Sequence, residues 1–512
     1  MTVEIAQNLG TDIVNAEAKL TTSLADSLLK LAKENGLFFQ DQFGTAYGFV
    51  KIKEHSEVIP VNSKKFRNFL LNLYHKKYKK TVSATPVKTA IDFCEAEAFG
   101  TVYELDNRVC KRDSSIFYDL ANSQWEVVKI DKSGWRVATP KKPIFTRYAH
   151  QKEQVYSNEY SSGNIDKMLS LFDLDADNKL LVKVFIVSGF IPDIPRAFLI
   201  FFGPQGSGKS VLAGSSRDII DPSTLKTIDP PLNKNELAHT LQHHYYTPFD
   251  NMSYMSREVS DALCRASTGA GTSTRKLYTD NEDFISSYRR LVSLNGINNV
   301  AFNADLLDRS IIISMNRINP TKRKTEDEIK QFFDELKPEI VTECFEVVSR
   351  AMNEYENISL ERIPRMADFV KWGEAIARVM GHKPMEFVNA FERNAKGMTS
   401  EIIGNTPVGS AVVDFVEDNE EWIGTAEELL SELNEKNTLE KQKSKGWPGN
   451  GSALSRALGN LKATLEDVGI GINRDYKHTG ARKEIRLWKI NGKKKESVGL
   501  ERFMLENDKE WS

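Results

Sequence analysis

The sequence is poor in cysteine and lacks a long apolar run. Its four cysteines stand far apart among 512 residues, without a CxxC pair or a histidine at ligand spacing. This pattern argues against a disulfide framework and a structural zinc site. No apolar stretch approaches the roughly 18 residues that span a bilayer, and the N-terminus shows no signal-peptide pattern. We therefore expect a cytoplasmic protein with no membrane role.

An excess of charge of one sign is also missing. Lysine and arginine number 69 against 71 aspartate and glutamate, which leaves a formal net charge of -2. Such a balance neither requires nor excludes nucleic acid, because a phosphate backbone responds to the local distribution of basic residues. The 40% of hydrophobic residues fits a globular chain, and the length allows several domains.

Changes in hydrophobic period divide the chain into segments. Short aromatic and β-branched runs around a helical stretch predict an α+β N-terminal domain. Alternating strand-like and helical segments then predict an α/β domain with a parallel sheet. Further on, Thr425 and Glu428 form a capping box, and two helices followed by a basic hairpin outline a winged helix. The predicted segments are the α+β domain (1–150), the α/β domain (151–320), a helical lid or linker (321–400), the winged helix (401–495) and a tail (496–512).

The stretch "GPQGSGKS", residues 203–210, carries the clearest chemistry. It follows the apolar run "AFLIFF" and satisfies the phosphate-loop pattern GxxxxGK[ST]. Its glycines let backbone N–H groups turn around a β-phosphate, Lys209 can reach the β- and γ-oxygens, and the Ser210 hydroxyl can bind Mg²⁺. The alternative is a glycine-rich surface turn. The expected nucleotide-binding residues are Gly203, Pro204, Gln205, Gly206, Ser207, Gly208, Lys209, Ser210 and Val211.

The next strand-like run lies in "HHYYTPFDNMS" and ends at an acidic residue, Asp250. At that place Asp250 is expected to complete the Mg²⁺ site, and the alternative is a solvated turn. The residue that follows is usually acidic and activates water, but here it is Asn251. Asp250 is then itself a candidate for the general base. Pro248 does not suit a central strand.

Two further polar residues complete a candidate ATP site. Asn295 ends the run "RRLVSLN" and is placed to hold the attacking water, although an Asn-Gly turn is the alternative. Arg309 precedes the β-branched run "SIIIS", where it could reach the γ-phosphate of a neighbouring subunit. Its alternative is a surface ion pair with Asp305 or Asp308.

Five motifs in this order, "GPQGSGKS", "TPFDN", "TGAGTSTRKLYTD", "LVSLNGIN" and "DLLDR", resemble the AAA+ helicase domain of replication proteins from phages, plasmids and other mobile elements. The similarity covers roughly Asp166 to Arg317 and lies with the superfamily-3 and minichromosome-maintenance-like group, which includes the helicase half of poxvirus-type primase-helicases. It implies ATP and Mg²⁺ as cofactors, and hexamers that pass single-stranded DNA through a central channel. The implied catalytic residues are Lys209, Asp250, Asn295 and Arg309.

The same resemblance implies DNA contacts from a hairpin before the Asn295 strand, here about Thr268 to Arg290. Arg275 and Lys276 are the candidates, and a solvated pair is the alternative. In the C-terminal segment, basic residues that include Arg456, Lys477 and Arg482 suit duplex DNA, and protein docking is the alternative.

Three functions remain open from the sequence. The leading hypothesis is an ATP-dependent DNA helicase or replication initiator that acts as a ring oligomer. The second is an ATPase that remodels or packages nucleoprotein without unwinding it. The third is a DNA-binding regulator that uses ATP only to switch its oligomeric state.

Overall fold

The computed structural model describes most of the chain and divides it into two compact units. One lies within Met1–Val300 and Ile313–Val388, the other within Ala301–Ile312 and Asn389–Ser512. Within the described part, no helix is long and apolar enough to cross a membrane. The described residues are 23–252, 255–269, 272–275, 283–286, 289–296, 304–319, 321, 323–360, 366–443, 447–479 and 482–490.

A small α+β arrangement begins the described chain. Ser23 caps the first helix, since its side chain accepts a hydrogen bond from the backbone N–H of Asp26, and the helix ends at Asn35 before an extended Gly36. Three antiparallel strands in the order β1-β2-β3 and two helices then pack around Leu28, Phe66 and other apolar side chains. These elements are α1 (Leu24–Asn35), β1 (Gly36–Gln40), β2 (Ala46–Ile52), β3 (His55–Pro60), α2 (Lys64–Tyr78) and α3 (Ala84–Glu97).

A four-stranded antiparallel meander follows, with β4 (Val109–Arg112), β5 (Ser115–Asp119), β6 (Val127–Asp131) and β7 (Gly134–Ala138) in sequence order. A buried ion pair ties it to the next part of the chain: Arg108 Nε lies 2.8 Å from Asp221 Oδ1, and both side chains are fully buried. Asp221 also accepts from the backbone N–H groups of Tyr245 and Tyr246. Such pairing offsets the cost of burying both charges.

The centre of the chain forms a sheet in the order β13-β8-β12-β9, covered by helices. Strand β12 runs parallel to both of its neighbours, β8 and β9. The parallel sheet expected from the alternating sequence pattern is therefore confirmed. The elements are α4 (Asn164–Leu169), α5 (Ala176–Ser188), β8 (Phe198–Phe202), α6 (Lys209–Ile220), α7 (Lys234–His243), β9 (Tyr246–Phe249), α8 (Arg257–Thr268), β10 (Thr272–Arg275), β11 (Asp283–Ser286), β12 (Leu291–Asn295), α9 (Ala304–Leu307) and β13 (Ser310–Ser314).

Pro248 fits because β9 lies at the end of the strand order. It stands opposite Ser293 of β12, and its carbonyl accepts a hydrogen bond from Ile228 N on the other side, at 2.9 Å. A residue in a strand directs its N–H and C=O to the same side. The backbone N–H that Pro248 lacks would therefore point to the outer side of β9, away from β12. Proline is tolerated on such an edge.

The helical stretch after the sheet contains α10 (Glu326–Glu354), α11 (Ala367–Val379) and α12 (Glu386–Asn405). A capping box begins α10, because Thr325 and Glu328 exchange side-chain and backbone hydrogen bonds.

The second compact unit has its own apolar core, which includes Val412, Leu454 and Leu487. An antiparallel sheet in the order β14-β16-β15 packs there with helices, and the predicted capping box of Thr425 and Glu428 is confirmed. The elements are α13 (Pro407–Asp418), β14 (Glu421–Thr425), α14 (Ala426–Lys436), α15 (Leu439–Gln442), α16 (Gly451–Asp467), β15 (Ile470–Thr479) and β16 (Arg482–Lys489).

Candidate functional site

A glycine loop, residues 203–208, joins buried strand β8 to helix α6. Gly203, Gly206 and Gly208 have φ values of 139°, 77° and 85°, in the region where a side chain is strained. A Cβ on Gly203 would lie only 2.1 Å from the backbone oxygen of Met315. The chain therefore needs glycine here both for its dihedral angles and for the close approach of the neighbouring strand end.

Replacing Gly203 with alanine should damage the loop. We expect the Gly203→Ala variant to lose about 2–4 kcal/mol of stability, because backbone strain adds to steric overlap with Met315. Thermal or urea unfolding measures the loss. Gly449→Ala is the matched control, since no atom lies within 4 Å of a Cβ at that exposed position. Equal stability of the two variants would contradict the described loop geometry.

Lys209 begins helix α6 and turns its side chain back over the glycine loop. Its Nζ donates to the carbonyl oxygens of Gly203 and Pro204, both at 2.7 Å, and to Ser207 Oγ at 3.2 Å. Only 9% of the residue is exposed. Burial lowers the pKa of Lys209, and the negative charge of Asp250 opposes that effect. The ammonium group is thus held above the loop by backbone and hydroxyl oxygens.

Three polar side chains meet at the carboxyl ends of neighbouring strands. Ser210 Oγ donates to Asp250 Oδ1 at 3.1 Å, and Asn295 Nδ2 donates to Ser210 Oγ at 2.9 Å. Asp250 follows β9 and Asn295 ends β12, so the parallel strands bring both residues to one edge of the sheet. Asn295 is 2% exposed. The structure therefore brings together three residues that the sequence separates by as many as 85 positions.

The backbone around Asp250 is held in a specific conformation. Asp250 N donates to Ile228 O, and Met252 N donates to Asn295 O at 2.8 Å. Between them, Asn251 has a φ of 58°, and its N–H donates to Asp250 Oδ1 at 2.8 Å. Asparagine tolerates this left-handed conformation. Its side chain is an amide, which does not accept a proton as a carboxylate does.

Arg309 lies in the short connection between α9 and β13. Its Nη2 is 3.2 Å from Asp305 Oδ1, and its side chain is 19% exposed. The Nε atom is buried, and within the described residues it has no hydrogen-bond partner. In the single chain, Arg309 therefore adopts the ion pair that the sequence offered as an alternative to a role at a neighbour's nucleotide.

Arg323 was missed by the sequence analysis, which placed it in the helical segment after the sheet. Its Nε donates to Ile318 O at 3.3 Å, and Ile318 N in turn donates to Gly206 O at 3.4 Å. A Cβ built on Gly206 would lie 3.4 Å from Arg323 Nη2, so the guanidinium group lies beside the glycine loop. The basic cluster "TKRKT" was the signal in the sequence, but a basic cluster alone does not show that a loop lies next to it.

Antiparallel strands β10 and β11 occupy the expected hairpin position before β12. Arg275 ends β10 and pairs in register with Asp283. Lys276, the other candidate DNA contact here, lies outside the described residues.

The basic residues of the C-terminal unit differ in their surroundings. Arg456 and Lys477 are exposed. Arg486 pairs with Glu421 at 2.6 Å, and Lys483 pairs with Asp475. These ion pairs reduce the positive charge expected from the sequence. The backbone of Arg482 begins β16 opposite Thr479, and its side chain lies outside the described part.

The described chain is thus a mixed α/β protein whose parallel sheet gathers polar side chains at its carboxyl edge. Comparison with protein families identifies its relatives. Residues 165–391 match the family described as the actinomycete integrative conjugative element replication protein. Residues 408–502 match the C-terminal domain of the same kind of replication protein. The two matches together cover more than half of the chain, and they show similarity to a replication protein family of conjugative elements.

Solved structures provide further, more distant likenesses. The SCCmec type IV Cch, described as an active helicase, has 13% sequence identity and a TM-score of 0.47, over 89% of this chain and 93% of that one. The C-terminal region of NrS-1 has 12% identity and a TM-score of 0.38, over 91% of this chain and 98% of that one. A search of curated proteins found no match.

Proposed function

We propose that this chain is an ATP-dependent DNA helicase or replication initiator, which acts as a ring oligomer and translocates on single-stranded DNA. The observation that carries the proposal is the meeting of Lys209, Ser210, Asp250 and Asn295 beside a glycine loop at the carboxyl edge of a parallel sheet. The replication-protein matches support a role in DNA replication. We assign the loop as a phosphate-binding P-loop in an AAA+ core.

The glycine loop and the start of α6 suit the phosphates of ATP. Backbone N–H groups at a helix N-terminus have no partner within the helix and favour an anion. The Lys209 ammonium already lies over this loop, on the carbonyls of Gly203 and Pro204. A β- or γ-phosphate oxygen would take over these hydrogen bonds and would stabilise the charged form of the lysine, against the effect of burial.

Ser210 and Asp250 fit a Mg²⁺ ion that accompanies the nucleotide. Two neighbouring ligands of an octahedral Mg²⁺, each at 2.0–2.1 Å, lie about 2.9 Å apart. The observed separation of Ser210 Oγ and Asp250 Oδ1 is 3.1 Å. Because the pair supplies two oxygens, the other ligands would be phosphate oxygens and water, as is usual for this ion. Bound there, Mg²⁺ would neutralise developing charge on the phosphates.

The remaining residues have roles around the reacting phosphate. Asn295 is held by Ser210 and would orient the attacking water with its amide. Asn251 does not replace the missing base, so we assign proton acceptance to Asp250, the carboxylate beside it. Arg309 would exchange Asp305 for the γ-phosphate in the next subunit of the ring.

In this proposal, two regions of the chain contact DNA. Arg275, which ends β10, and the next residue in the sequence, Lys276, would contact single-stranded DNA in the channel of a hexamer. The C-terminal unit, with helices α14 and α16 and the β15–β16 hairpin, would act as a winged helix on duplex DNA. Its exposed Arg456 and Lys477 would bind phosphates there, together with Arg482.

Arg323 should contribute to ATP binding from within the same subunit. We expect Arg323→Ala to raise the KM for ATP about tenfold, since a charge-assisted contact to phosphate is worth on the order of 1.5 kcal/mol. Steady-state ATP hydrolysis measures this effect. The matched control is Lys324→Ala, which removes the neighbouring charge from a side chain placed over the Phe332 ring. Equal KM values for the two variants would reject a role for Arg323 at the nucleotide.

ATP hydrolysis by the full chain tests the proposal as a whole. With Mg²⁺ present, hydrolysis should rise several-fold when single-stranded DNA is added. ATP binding without turnover would instead support the ATP-switched regulator, the alternative that fits an amide rather than a carboxylate side chain at Asn251. Hydrolysis that is unchanged by any DNA would contradict a DNA motor.

A further inference from the structure

Helix α2 and the residues that follow it form an unusually basic surface. Residues 64–80 contain six lysines, one arginine and one histidine, and they contain neither aspartate nor glutamate. This segment, here called the basic helix, buries Phe66, Phe69, Leu70 and Tyr74 in the core of the N-terminal region. The charged side chains are on its exposed face. The basic helix lies far along the chain from both DNA-binding regions assigned above.

The stability of the helix does not explain all of these charges. Lysines near its C-terminal end interact favourably with the helix dipole. Lys64, Lys65 and Arg67 lie in its first turn, where the dipole disfavours cations, and that turn has no acidic residue. Lys65 pairs with Glu57. For Lys64 and Arg67, the described residues provide no ion pair, so their charges remain available to an external anion.

The spacing of the charges points to a partner. Arg67 and Lys76 are nine residues apart, which corresponds to about 14 Å of helix rise. Nine residues are also about two and a half turns, so the two side chains lie on opposite flanks of the helix. In a major groove about 12 Å wide, these flanks would face the phosphates of the two borders. Between them, Asn68 and Asn72 are exposed and lie one turn apart. Exposed amides at that place would face base edges.

A single strand fits the surface less well. Binding of single-stranded nucleic acid relies on several aromatic side chains on which bases stack. The basic helix offers Tyr78, which is 41% exposed, with Lys77 over its ring at 5.8 Å. One aromatic ring offers little surface for base stacking, whereas the basic residues at both ends of the helix attract phosphates.

We propose that the basic helix is a duplex-DNA binding surface, with Lys64 and Arg67 on one phosphate border of the major groove and Lys76 and Lys80 on the other. The N-terminal region would then hold the double-stranded part of the substrate. This assignment does not depend on ATP hydrolysis.

Fluorescence anisotropy of the full chain with a labelled 20-base-pair duplex, over a series of salt concentrations, tests the proposal. The test variant is Lys64→Gln/Arg67→Gln/Lys76→Gln/Lys80→Gln. We expect at least about a tenfold loss of affinity at 0.1 M salt and a salt dependence that is shallower by about 2–4, since each phosphate contact contributes about 0.9 to the slope. Binding to a single strand of the same sequence should change less than about twofold.

The matched control removes four other exposed lysines of the same unit, as Lys30→Gln/Lys51→Gln/Lys88→Gln/Lys111→Gln. It should bind the duplex within about twofold of the unchanged protein. Both variants should keep the melting temperature, because neither alters a buried side chain. An unchanged duplex affinity in the test variant, an equal loss in the control, or a loss at least as large on the single strand would overturn the proposal.

Discussion

Lys209→Ala should lower DNA-stimulated ATP hydrolysis by at least about 100-fold, because the ammonium would no longer stabilise charge on the β- and γ-phosphates. The nearly buried Lys209 lies directly over the glycine loop, so its charge acts at short range and is poorly screened by water. Strand separation should disappear together with hydrolysis. Phosphate release at saturating ATP and DNA is the measurement.

The control for this variant is Lys234→Ala, which removes a charge from an exposed pair with Glu258. Such pairs contribute little to stability, so this variant should keep its hydrolysis rate. A Lys209→Ala protein that melts like the control and hydrolyses ATP at the normal rate would show that the glycine loop does not form the ATP site.

Mixing two inactive variants should restore part of the activity. Lys209→Ala keeps Arg309, and Arg309→Ala keeps Lys209. An interface is therefore complete when the Arg309→Ala subunit supplies the glycine loop and the Lys209→Ala subunit supplies the arginine, whereas the reverse order lacks both groups. In a random equal mixture, about one quarter of the interfaces would be complete, and we expect about that fraction of the wild-type hydrolysis rate. Hydrolysis measured before and after subunit exchange shows the effect.

This result depends on where Arg309 acts. In the single chain it is held by Asp305, and its Nε is buried without a hydrogen-bond partner in the described residues. If the arginine supports only its own subunit, the mixture will hydrolyse ATP no faster than the mean of the two variants. The Arg309→Lys variant separates charge from geometry, because lysine keeps the charge but lacks the planar group of donors.

Local geometry is predictable from the sequence where a short motif determines it. The glycines at 203, 206 and 208 were recognised from their spacing, and each has the positive φ that the loop requires. The alternating pattern also predicted the parallel sheet. In such a sheet the ends of neighbouring strands meet at one edge, which is why Asp250 and Asn295 could be expected beside Ser210.

Contacts that depend on long-range packing were not predictable. Arg323 lies beside Gly206 because the chain after β13 returns along the glycine loop through Ile318. The buried pair of Arg108 and Asp221 joins residues 113 positions apart. No sequence pattern around these arginines reveals which distant residue each one contacts. The edge position of β9, which makes Pro248 acceptable, likewise depends on the strand order of the whole sheet.

The exposed face of the basic helix was not predictable from the sequence. Its charge run is visible in the sequence, but a run of lysines alone does not reveal which residues share an exposed face. The structure places Phe66 and Leu70 in the core, and this orientation puts Lys64, Arg67 and Lys76 outside.

Release of the labelled strand from a forked DNA duplex by the full chain, with Mg²⁺ and ATP, is the most direct test of the central claim. We predict that the strand is released with ATP, that it stays bound with a non-hydrolysable ATP analogue, and that Lys209→Ala releases none. ATP hydrolysis that is stimulated by the fork while the duplex stays intact would contradict the helicase assignment and support a remodelling or packaging ATPase.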